Sequence, residues 1–79
     1  MNLFYAAILV CWQDRCWSLT DDFSPYATVA ECRARLEVMK SIAIIGFGHL
    51  PGVVMVPNCG SLDEIRRDIP GAFPWEAAT

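Results

Sequence analysis

The chain opens on an unbroken apolar run, Leu3-Phe4-Tyr5-Ala6-Ala7-Ile8-Leu9-Val10-Cys11-Trp12. Periodicity alone does not separate helix from strand in such a run. Its aromatic and β-branched content favours a strand. Gln13-Asp14-Arg15 is a short polar break. Cys16-Trp17-Ser18-Leu19-Thr20 then alternates, with Trp17 and Leu19 on one face, as a half-buried strand does. The two segments predict a hairpin. Asp21 to Ala27 is a turn-rich connection. Thr28-Val29-Ala30-Glu31 is a capping box, which predicts a helix from Val29 to about Ile45. Val29, Cys32, Leu36, Met39 and Ala43 recur at spacings of three and four and form one apolar face. Glu31 with Arg35, and Arg33 with Glu37, sit four apart on the wet side. Gly46-Phe47-Gly48 stops the helix. Val53 to Val56 predicts a third strand, ended by Pro57-Asn58. Ser61-Leu62-Asp63-Glu64 is a second capping box and opens a short helix to about Asp68, broken by Pro70-Gly71.

The element order β-β-α-β-α predicts a single α+β domain over residues 1–79, ending in an irregular aromatic tail at 70–79. A right-handed crossover sets strand three parallel to strand two. Strand one then lies between them, giving a three-stranded antiparallel or mixed sheet of order 3-1-2 with one long helix packed on a face. Strand one is apolar on both faces, Leu3, Tyr5, Ala7, Leu9 and Cys11 on one and Phe4, Ala6, Ile8, Val10 and Trp12 on the other. One helix cannot cover both. The second face requires the short helix, the tail or another chain. The leading candidates for an interaction surface are therefore Phe4, Ile8, Val10 and Trp12, with Phe73 and Trp75 of the tail.

Composition sharpens that expectation. Apolar residues make up 54% of the 79, above the usual ~45–50%, a range that also counts glycine. A chain this short buries a small share of its surface. Some of the apolar excess is expected to meet a protein partner, either a second copy or another protein. The net charge is −3, and the six basic residues form no stripe. Neither nucleic acid nor an anionic membrane surface is an expected partner, because both need clustered cations. The apolar N-terminal run lacks the basic region and cleavage site of a signal peptide. It is also too short to span a bilayer. A cytoplasmic or virion-associated protein is expected.

Four cysteines stand at positions 11, 16, 32 and 59, with a single histidine, His49. The spacing fits no common zinc pattern, so neither metal nor cofactor is expected. Topology would let Cys32 and Cys59 meet at one end of the sheet. Cys11 and Cys16 flank the hairpin turn and could bond across it if four residues intervene. Buried reduced thiols are the slightly favoured alternative. His49 could pair with Cys59 or Cys32 as a nucleophile, but as a loop residue it is more simply read without chemistry. Gly46, Gly48 and Gly52 have the wrong context for a phosphate loop. Asp14, Asp21 and Asp22 are too irregular for a calcium loop.

Cys16-Trp17-Ser18-Leu19, Ser24-Pro25-Tyr26-Ala27-Thr28 and Glu31-Cys32-Arg33-Ala34-Arg35 resemble short uncharacterised proteins of phage and bacterial genomes. In those, a strand leads through a Pro-Tyr turn to a capped helix with a cysteine in its first turn. The resemblance covers about the middle third of the chain. It implies a phage accessory or virion protein and brings neither an activity nor site residues. The expected function is non-enzymatic: a structural or interaction subunit. The alternative is a small soluble inhibitor or adaptor that binds a host protein, such as a defence factor. An enzyme built on His49 and a cysteine is a third reading.

Overall fold

β1 (Tyr5–Trp12) is the middle strand of a three-stranded sheet, flanked by β2 (Arg15–Thr20) and β3 (Val54–Gly60). It pairs antiparallel with both, so β2 and β3 run in one direction. The order β2-β1-β3 reads 3-1-2 from the other edge. Between β2 and β3 lies α1 (Val29–Phe47), and α2 (Leu62–Asp68) follows β3. The computed structural model describes residues 2–76, and positions 77–79 of the expected tail lie outside the described residues.

Both helices start where their capping residues stand. Thr28 and Ser61 have extended backbones, and their hydroxyls accept from the backbone N–H of Glu31 and Glu64, each at 3.2 Å. The same hydroxyls donate to the glutamate carboxylates, at 3.1 and 3.0 Å. Each cap is therefore closed through its side chains as well. The third strand is longer than expected, because Pro57 lies within it, opposite Ile8. β3 is an edge strand, so a residue without an N–H removes no bond to a further strand.

Two cores lie on opposite faces of the sheet. On one, Ala6, Ile8 and Val10 pack with Cys32, Leu36, Met39 and Ala43 of α1. On the other, Tyr5 and Ala7 pack with Ile65, Ile69, Ala72 and Phe73. The covering is thus shared between α1 on one side and α2 with the following segment on the other. This segment turns through Gly71 (φ 86°) and Phe73 (φ 52°), both in the left-handed region. A bulky residue holds that conformation at a cost. Burial of the Phe73 ring, 1% exposed and edge-on to Tyr5 at 5.0 Å, offsets it. Arg66 of α2 fastens the segment, its guanidinium donating to the carbonyl of Phe73 at 2.8 Å and to that of Glu76.

Candidate interaction surface

The expected contact residues divide sharply. Ile8 and Val10 are fully buried beneath α1, and half-buried Phe4 packs against the same core. Their face is the one α1 covers, so these residues belong to the interior and not to an open surface. Phe73 is likewise interior. Trp12 is half-buried, and its indole N–H donates to the Pro51 carbonyl at 3.0 Å, tying the hairpin to the loop before β3. Among these six residues, Trp75 alone is broadly open, 59% exposed with its ring edge-on to Phe73.

The larger open apolar surface is on the outside of α1. Val38 is 47% exposed, Ile42 and Ile44 are each 60%, and Ile45 is 83%. At about 100° per residue, Val38, Ile42 and Ile45 fall on one line, about 125° around the helix from the buried face of Leu36, Met39 and Ala43. Ile44 is about 100° around the helix from Ile45, on the flank away from that line's Ile42 side. The apolar periodicity of the sequence identifies the inner face and is silent on the outer one. The signal for the outer face is the run Ser41-Ile42-Ala43-Ile44-Ile45-Gly46-Phe47-Gly48, which contains no charged residue. Val29, placed on the inner face by its spacing, is exposed at the helix start. A smaller apolar patch remains on the sheet face under α2. There Val54 and Val56 of the edge strand are about half exposed, beyond the reach of α2.

Beside the outer line runs an open groove of about 330 Å³ between α1 and the end of β2. Leu19, Met39, Ile42, Ala43 and Phe47 give it apolar walls, and Asp21, Asp22, Phe23 and Arg35 stand at one end. The Asp21 side chain is fully buried. One of its oxygens accepts from the Phe23 N–H and from Arg35 Nε, both at 3.1 Å. The other accepts from the Tyr26 hydroxyl at 2.6 Å and from Ser24 Oγ at 3.3 Å. Burial pushes the Asp21 carboxyl up, but hydrogen bonds from Tyr26, Phe23 and Arg35 outweigh it and hold the group below its ordinary 3.8. Burial, then the bond to Asp21, pushes the Tyr26 hydroxyl up to about 12. Ser24 Oγ also accepts from the Ala6 N–H at 3.0 Å. The cluster therefore locks the 21–26 turn to β1 and α1. With four donors already on Asp21, its carboxylate serves the fold and is closed to a ligand. Arg35 also lies beneath the exposed Phe23 ring, 4.9 Å from its centroid, a cation–π contact.

All four cysteines are bonded, Cys32 to Cys59 and Cys11 to Cys16. Cys32 and Cys59 join the first turn of α1 to the end of β3, with Cα atoms 6.2 Å apart. Cys11 and Cys16 are directly opposed in the hairpin. The reduced-thiol alternative therefore does not describe this structure, and His49 has no thiolate to activate. Among the described residues, no group of three or more His, Cys, Asp or Glu side chains could hold a metal ion. No described helix is long and apolar enough to cross a membrane. No protein-family model, curated protein or solved structure matches the chain.

Proposed function

We propose that the protein is a non-enzymatic interaction or assembly subunit that engages a protein partner through the outer face of α1. The supporting observation is the exposure of Val38, Ile42 and Ile45 along one line of one helix. Scattered exposed apolar residues are ordinary, but a contiguous group marks a contact surface. The adjoining groove extends the group around the helix flank and accepts a protruding side chain. The central sheet residues contribute rigidity, because the two helices and the 70–76 segment occupy them. A phage particle is one assembly in which such a subunit would sit, as the resemblance of residues 16–35 implies.

The test is the size of the epitope-tagged chain in extracts of the cells that make it. Sedimentation faster than an 8.8 kDa monomer, abolished by Ile42→Glu with Ile45→Glu, is the expected result. A tagged chain that travels as a free monomer, unaffected by these substitutions, would overturn the proposal.

A further inference from the structure

We propose that the Cys11–Cys16 bridge is a thiol–disulfide exchange site, opened by a low-molecular-weight thiol while the Cys32–Cys59 bridge stays closed. The proposal does not depend on the reading of the outer α1 face, because this bridge lies on the opposite side of the sheet.

The placement of the two bridges carries it. Side chains alternate between the faces of a strand, so Cys11 follows Tyr5, Ala7 and Leu9 onto the side that α2 covers. There α2 packs on β1 and β3 and, among the described residues, does not reach β2. β2 is also an edge strand, with no further strand beside it. Cys16 is accordingly exposed and Cys11 half-buried. Val54, opposite Cys11 in β3, is 55% exposed. Cys32, in contrast, is fully buried among Ala6, Ile8, Val10 and Leu36, and half-buried Cys59 packs against that core. A thiol reaches the second bridge only when α1 parts from the sheet.

Loop length points the same way. Cys11 and Cys16 are 5 apart in sequence, and Cys32 and Cys59 are 27 apart. A short closed loop removes less entropy from the unfolded chain. Opening the hairpin bridge therefore weakens the fold less, and the strand pairs from Ala7–Thr20 to Trp12–Arg15 keep the register. The turn is the part that loosens, because Gln13 holds φ 57°, in the left-handed region that residues other than glycine seldom adopt.

The exchange balances with two thiol groups. A thiolate attacks the exposed Sγ of Cys16, a new S–S bond forms as the Cys11–Cys16 bond breaks, and Cys11 leaves as a thiolate. A second thiolate attacks the reagent's sulfur in the mixed disulfide and releases the Cys16 thiolate. The two protons of the reagent end on Cys11 and Cys16. The reagent is oxidised to its disulfide by two electrons, and the bridge is reduced by the same two.

Timed reduction of the folded chain with dithiothreitol, which supplies both thiols, tests this. N-ethylmaleimide quenches each sample, and peptide masses locate the label. Cys11 and Cys16 should be labelled together, about tenfold or more faster than Cys32 and Cys59, since the buried pair waits on opening of the core. The far-UV circular dichroism should be unchanged at that stage. Labelling of Cys32 and Cys59 first, of all four at one rate, or of none until denaturant unfolds the chain overturns the proposal, and so does loss of the folded spectrum when only the hairpin pair is labelled. Cys11→Ser and Cys16→Ser each leave one hairpin thiol and test the point of attack. With oxidised glutathione, Cys16 in the first variant should form a mixed disulfide several-fold faster than Cys11 in the second. Equal rates, or a faster Cys11, overturn the assignment of Cys16 as the sulfur attacked.

Discussion

α1 and α2 solve the same packing problem and leave different surfaces behind. α2 buries Ile65 against the sheet and turns Asp63, Glu64 and Arg67 to water. Its Arg66 reaches across to hold the following segment. α1 buries Cys32, Leu36, Met39 and Ala43 and presents a second, exposed apolar line of Val38, Ile42 and Ile45 on another side. The fold accounts for the whole of α2. It accounts for only the inner half of α1, and the outer half is where a partner is to be sought.

The sharpest way to break this contrast is to damage the α2 side. Phe73→Ala removes a ring that is buried between Tyr5 and the second helix. It should cost about 3–5 kcal/mol in chemical denaturation. A loss below about 1 kcal/mol would mean that this layer is not a true core.

On the α1 side, Asp21→Asn should cost about 1–3 kcal/mol, since it weakens hydrogen bonds to a buried charge. It should also flatten the acid limb. The folded-state pKa of Asp21 lies below its ordinary 3.8. The stabilisation is therefore complete above that value and is lost as pH falls through the folded pKa. Denaturation midpoints of the wild-type chain should drop on acidification below about pH 4 more steeply than those of the variant. Parallel curves would remove Asp21 from the account.

Arg66→Ala should cost about 1–2 kcal/mol by freeing the Phe73 and Glu76 carbonyls. Amide exchange should accelerate in residues 72–76 and stay unchanged in β1 and β2. The smallest effect is expected on the outer face. Ile45→Ser should alter monomer stability by no more than about 0.5 kcal/mol, the range of ordinary surface substitutions. A large loss would show that Ile45 supports the fold and would erase the contrast between the helices.

The parts of this architecture legible in the sequence are those with local causes. Thr28-Glu31 and Ser61-Glu64 mark both helix starts because capping is a contact within one turn. The hairpin follows from the polar break at residues 13–15. The distribution of cover is not legible. β1 is apolar on both faces, so its alternation carries no sign of which side α1 takes, and for that reason Ile8 and Val10 read as surface candidates when they are interior. Nor does the sequence reveal that residues 70–76 fold back under β1, because that path depends on a left-handed phenylalanine and on Arg66 reaching two carbonyls. The extent of β3 is hidden because a proline is tolerated there only by virtue of the edge position. The outer line of α1 is readable in the residues themselves. It is easily passed over, because the inner line already satisfies the search for a helix face.

Methyl NMR with a soluble paramagnetic agent compares the two helices most directly. In dilute solution the methyls of Ile42, Ile44 and Ile45 should relax strongly, while those of Ile65 and Ile69 are shielded. When extract of the cells that make the chain is added, Ile42 and Ile45 should become shielded too, with Ile65 and Ile69 unchanged. Isoleucines on the outside of α1 that are protected in the dilute chain alone, or that stay equally open in the extract, would contradict the account.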